Sequence, residues 1–209
     1  MKNKSILVLF MLILPCLAFA QIKFSIYGNY GISKFIEKNN EPTVIIGNYY
    51  TSLPSFSIGA DALYSFDNSK FGIISGLDFS SFAAENHMPD DFNYPSYTGP
   101  KSWDERLYAL SLPIKLNFKY EEWAHINVGL SNTFILNEPN EITINKINHY
   151  TLNFIGGFEF VIKQRFKIGA SYYRDILPTM VCLKGSSNPE AYNINYFVEQ
   201  FTVKIGFVF

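Results

Sequence analysis

Cysteine is nearly missing from this chain: its 209 residues hold two, Cys16 and Cys182, and the first falls in a stretch that reads as a leader. A single remaining thiol cannot close an internal disulfide, so hydrogen bonding and packing must hold the fold. Long apolar runs are lacking beyond the first twenty residues, and a helical span needs about 20 apolar residues, which excludes a helical membrane protein. A concentrated basic face is lacking too. Lys and Arg number 17 against 18 Asp and Glu, a formal charge of −1, and this excludes nucleic acid as a partner. No cofactor motif and no metal-ligand spacing occurs, so neither a cofactor nor a metal is expected.

The N-terminal residues read as an export signal. Lys2 and Lys4 supply positive charge, Ile6 to Leu14 an apolar stretch, and Ala18-Phe19-Ala20 the small-x-small pattern cut before Gln21. Pro15 directly before Cys16 is a poor residue for a lipoprotein site. The expected division is therefore a signal peptide over 1–20 and one domain over 21–209, and loss of Lys2 and Lys4 leaves that domain two charges more negative than the whole chain.

Aromatic residues are abundant, 20 Phe and 14 Tyr in a 17% aromatic fraction, yet mean hydropathy is close to zero. A wall apolar on one face and polar on the other satisfies both. Period-2 alternation recurs in eight segments, the pattern that puts successive side chains on opposite faces of a strand. They run 24–32, 55–66, 71–82, 107–120, from about 126 to 136, 150–162, 166–173 and 197–209. The fourth is the cleanest: Tyr108, Leu110, Leu112, Ile114, Leu116, Phe118 and Tyr120 alternate with Ala109, Ser111, Pro113, Lys115, Asn117 and Lys119, with Pro113 its one blemish because proline removes a ladder donor.

Connectors 67–70, 121–123 and 163–165 are short, whereas 36–54, 83–106, 137–149 and 178–195 are long. This long-short alternation, with segments of about ten residues, predicts an all-β, eight-stranded antiparallel transmembrane β-barrel of up-and-down order in the outer membrane of a Gram-negative cell, both termini periplasmic. Unpaired backbone groups cost several kcal/mol in hydrocarbon, so the sheet must close, first strand to last. Phe66, Phe71, Tyr120, Trp123, Phe160, Phe166 and Phe209 are expected in a periplasmic aromatic girdle, and Tyr30, Phe79, Tyr108, Phe134, Tyr150 and Tyr172 in an outer one. A lipocalin-like soluble barrel would turn its apolar face inward around a ligand, but the opposing face is rich in Gly, Ser, Asn, Thr, Lys and Asp.

Directed inward, the polar faces gather Asp61, Asp78, Glu159 and Asp175 with Lys115, Lys119, Lys167 and Lys204. Eight strands leave an interior just wide enough for side chains to fill, so this set reads as a salt-bridged plug, ahead of a narrow pore or an ion relay. His87, His125 and His149 invite a catalytic reading, but His125 and Ser131 sit six residues apart on one strand, roughly 20 Å, too far for proton transfer. The loop 83–106 offers His87, Asp90, Asp91, Tyr94, Tyr97 and Trp103 as a candidate recognition surface. The loop 178–195, with Cys182, reads as a flexible tip.

Cleavage before a glutamine, the Ser111-Leu112-Pro113-Ile114-Lys115-Leu116 segment, Val128-Gly129-Leu130 and the aromatic C-terminal strand make the chain resemble the PorT-type outer-membrane β-barrel family of Bacteroidetes, over essentially residues 21–209. In such proteins an aromatic last strand resembles the signal read by barrel-assembly machinery, which singles out Phe201, Phe207 and Phe209. The resemblance implies a non-enzymatic structural or interaction component of the cell envelope, accessory to protein secretion, with outer-membrane lipids, the assembly machinery and envelope or secretion-complex proteins as partners. A small pore or transporter for small solutes is the alternative.

Overall fold

The computed structural model describes residues 20–39, 49–66, 69–87, 102–138, 146–184 and 192–209. They form ten strands: β1 (Ala20–Asn39), β2 (Tyr49–Phe66), β3 (Phe71–His87), β4 (Ser102–Glu121), β5 (Ala124–Ile135), β6 (Lys146–Ile147), β7 (Tyr150–Ile162), β8 (Phe166–Asp175), β9 (Met180–Lys184) and β10 (Tyr192–Val208). Eight of them close a ring in the order β1-β2-β3-β4-β5-β7-β8-β10, and β10 returns to β1 from Ser25↔Val208 to Asn39↔Ile194. Every pairing is antiparallel.

Lipid-type side chains point out. On β1, Ile22, Phe24, Ile26, Tyr30 and Ile32 are exposed, whereas Ser25, Tyr27 and Ser33 are buried. Ten residue steps from Ile22 to Ile32, on strands tilted about 40°, rise roughly 25 Å, the height of a barrel's apolar band. Phe66, Phe71, Tyr120, Trp123, Phe160, Phe166 and Phe209 are exposed at the end with the tight turns, and Tyr30, Tyr108, Phe134 and Tyr150 at the other. Aromatic pairs such as Trp123–Phe160 (5.7 Å) and Phe134–Tyr150 (5.6 Å) lie in these rings.

Strands at the far end outrun the sequence segments. β1, β2, β3, β4 and β10 reach 17 to 20 residues, while β5, β7 and β8 have 10 to 13. One side of the barrel therefore stands tall. Beyond the end of β8, β9 pairs with the upper part of β10, and β6 pairs with β9. Residues 180–184 and Cys182 thus belong to a paired strand rather than to a flexible tip.

The wall is irregular at two prolines, besides a register shift between Lys119 and Glu121 on β4. Pro113 pairs with Ser131 on β5, but the β3–β4 ladder lapses between Ser75↔Ile114 and Asp78↔Ser111 without a change of register, because the proline has no N–H to give. Between Ser52 and Phe56 the β2–β3 register slips by one residue, a bulge around Pro54. The backbone groups it strands are met from β1: Ser33 Oγ lies 2.7 Å from both Ala83 N and Ala83 O, accepting from one and donating to the other.

Candidate functional site

Alternation on five strands brings Asp61 (β2), Lys115 (β4), Glu159 (β7), Lys167 (β8) and Lys204 (β10) to one level inside the barrel, each no more than 6% exposed. Lys204 Nζ stands 2.7 Å from Glu159 Oε1 and 3.4 Å from Asp61 Oδ2; Lys167 Nζ stands 3.4 Å from Asp61 Oδ1 and 3.6 Å from Glu159 Oε2. Ser25 donates to Asp61 and accepts from Lys167 at 2.9 Å. Two ammonium groups and two carboxylates thus form a closed cycle. Tyr27 covers it, its ring centroid 3.7 Å from Lys204 Nζ, and this position needs Gly59 beneath, where a Cβ would come within 2.7 Å of the tyrosine ring.

The expected eight-member set is only partly assembled. Asp78 and Lys115 border the cycle, lining with Lys204 a polar chamber of about 40 Å³. Lys119 and Asp175 do not join it. Lys119 lies four residues beyond Lys115, about 13 Å along the strand, and Asp175 eight beyond Lys167, about 26 Å. Sharing a face did not bring them to the same height. Asp175 instead accepts from Thr179, Asn153 and, at 2.8 Å, the Val198 N–H.

Below the cycle, at the turn end, the lumen opens into a vestibule of about 480 Å³ lined by Lys23, Lys70, Asn117, Lys119, Glu121, Glu122, His125 and Lys167 among others. Above the chamber the interior turns apolar: Phe35, Phe82, Leu107, Ile135, Tyr173, Met180, Tyr196 and Val198 pack into one cluster. A polar interior throughout was expected. Phe82, Leu107, Ile135, Tyr173 and Val198 are the inward residues at the outer ends of the wall segments, Phe35 and Tyr196 come from the strands' extra length, and Met180 arrives from β9.

Higher still, Glu105 is 1% exposed. Asn86 Nδ2 and Trp103 Nε1 donate to Glu105 Oε1 at 3.0 and 3.1 Å, and Tyr50 donates to Oε2 at 3.3 Å. Burial pushes this carboxyl above its ordinary range, and the three donors pull the other way. The group was missed in the sequence because 83–106 reads as a loop there, although Glu105, Leu107 and Ala109 share one parity. Trp103 is thereby tied to a buried carboxylate. His87 pairs with Glu85 at 3.2 Å and Thr51 at 3.1 Å, while Asp90, Asp91, Tyr94 and Tyr97 lie outside the described residues. His125 Nδ1 meets Asn117 at 3.2 Å and His149 Nδ1 the Ile135 carbonyl at 3.2 Å. Phe201 and Phe209 on the closing edge face outward, 52% and 70% exposed, with Phe207 between them in edge contact with Phe209.

No protein-family model and no curated protein matches the chain. Solved structures do. The outer membrane protein OprG from Pseudomonas aeruginosa superposes with a TM-score of 0.52 at 12% identity, covering 91% of this chain and 97% of OprG. Neisserial surface protein A is similar at a TM-score of 0.48 and 12% identity over 88% and 96%, and Ail of Yersinia pestis at 0.45 and 15% over 90% and 99%. The fold is that of an eight-stranded outer-membrane β-barrel.

Proposed function

We propose that this chain is an integral outer-membrane protein, exported through a cleaved signal at residues 1–20, with its turn end in the periplasm and its tall wall outside. In this reading it is non-enzymatic and sealed, a structural and interaction component of the envelope, of the PorT type and accessory to protein secretion. The observation that carries the reading is the doubly blocked lumen: the Asp61–Lys167–Glu159–Lys204 cycle ends the vestibule, and the apolar cluster around Phe82 and Tyr173 closes the space above. Filling the bore with paired charge and packed rings suits a rigid post that presents its two ends to partners.

A pore for small solutes would need a continuous wet path, and the polar chamber between the two seals holds about 40 Å³, room for a few waters at most. Planar-bilayer recording of the purified barrel is the test. Silence, together with envelope or secretion proteins recovered by pull-down from intact membranes in mild detergent, supports the scaffold; stable open currents overturn it. Phe201, Phe207 and Phe209 serve in this reading as the signal for the assembly machinery, so Phe209→Ala should lower the amount of heat-modifiable barrel in membranes.

A further inference from the structure

The register of the closing seam sets two rows of outward side chains side by side. Ile32, Phe201 and Tyr172 stand level on β1, β10 and β8, and two residues farther from the turn end Lys34, Glu199 and Arg174 do the same. The first row ends the unbroken apolar run on these strands, and Ile36 and Phe197 stand level beyond the second. The second row interrupts that run: Lys34 Nζ reaches Glu199 Oε2 at 3.0 Å, Arg174 Nη1 reaches Oε1 at 3.8 Å, and Tyr172 donates to the same carboxylate. Farther along β1, Lys38 Nζ rests 5.1 Å from the Phe197 ring centroid.

We propose that Lys34 and Arg174, spaced by Glu199 and supported by Lys38, bind the phosphate of lipid headgroups in the leaflet around the tall end of the barrel. The inference rests on the membrane placement above and names a partner for it. Two residue steps on a tilted strand rise about 5 Å, which sets these groups beside the phosphate layer rather than in hydrocarbon or open water. The side chains of Lys34 and Arg174 are 46% and 44% exposed while bound to the carboxylate, and an ammonium carries three N–H donors and a guanidinium five. Each therefore keeps donors for a second anion. Three cations face one carboxylate in this outward patch among the described residues, a net positive field of the kind by which juxtamembrane Lys and Arg attract anionic lipid. Glu199 holds the two heads in place, so less of their rotational freedom is lost when a phosphate arrives.

The test compares folded barrel in phosphatidylcholine vesicles with barrel in vesicles containing a phosphomonoester lipid, such as phosphatidic acid or a phosphorylated glycolipid, reading the temperature at which the compact gel form is lost. The anionic lipid should raise that temperature. Lys34→Ala/Arg174→Ala should lose at least half of the rise, Lys34→Arg/Arg174→Lys should keep it, and free inorganic phosphate should not reproduce it. An equal rise in the alanine pair overturns the proposal, and so does a rise from free phosphate of the same size as that from lipid. Should the alanine pair fail to fold, Lys38→Ala alone should lose a smaller share, and an undiminished rise there likewise counts against it. A chain that does not enter vesicles at all would instead defeat the outer-membrane reading.

Discussion

The Lys204 ammonium and the Glu159 carboxylate meet at 2.7 Å inside the barrel, each 3% or less exposed. Breaking a buried pair leaves an uncompensated charge and costs about 3–5 kcal/mol. Glu159→Ala and Lys204→Ala should each lower the urea midpoint of the barrel accordingly. The double variant Lys204→Met/Glu159→Gln should recover much of the loss, because neither position then carries a full charge. Midpoints unchanged in both single variants would show that the cycle does not hold the strands together.

Gly59 makes room for the cover over that pair. A Cβ there would lie 2.7 Å from Tyr27 Cζ and Oη, and forcing an extra group into a packed site costs about 1–3 kcal/mol. Gly59→Ala should displace Tyr27 and lower stability by that amount, whereas Gly59→Ala/Tyr27→Ala should lose less than the two single effects combined. A double-mutant cycle measured by urea unfolding checks this.

Ser33 repairs the wall where β2 bulges. Ser33→Ala would leave the Ala83 N–H and C=O without their partner, a loss of about 1–3 kcal/mol. Hydrogen exchange should report it locally, with faster exchange at the Ala83 amide and little change at the β7–β8 seam.

The turn between β7 and β8 carries avoidable strain. Lys163 and Gln164 have φ of 49° and 58°, and Arg165 N donates to Ile162 O at 3.1 Å. The first two positions of this three-residue loop suit glycine, since a side chain in the left-handed region costs roughly 1–2 kcal/mol. Gln164→Gly should therefore stabilise the barrel by about 1 kcal/mol, read as a higher urea midpoint.

Glu105 lies beyond Tyr108, above the apolar band, and its carboxyl holds its proton more tightly when folded than when unfolded. The folded state then binds more protons through the window between the two values, so this group's contribution falls as pH rises from the ordinary carboxylate range to the raised value. Glu105→Gln should flatten that part of the profile, with the largest gain over the parent protein on its alkaline side. Unfolding midpoints across the window, parent against variant, measure it.

Period-2 alternation was strong enough in the sequence to reveal eight wall strands and the direction of their faces, because a strand in lipid must show apolar side chains outward at every second residue. Asp61, Glu159, Lys167 and Lys204 could be placed inside for the same reason. Their pairing could not be read that way. Which inward charge meets which depends on the stagger between strands, and that stagger set Lys119 in the vestibule and Asp175 beside Thr179.

The tall wall was hidden because its outward residues no longer face hydrocarbon. Thr51, Ser52, Asp104 and Lys34 mix polar groups into positions that were apolar lower down, so 36–54 and 83–106 look like loops although much of each continues the ladder. The sequence by itself determined the face that meets lipid and the short turns, since both follow from neighbours along the chain. Only the tertiary structure decided the charge cycle, the apolar seal and the Lys34–Glu199–Arg174 row, because each joins residues whose separation is set by register around a closed ring.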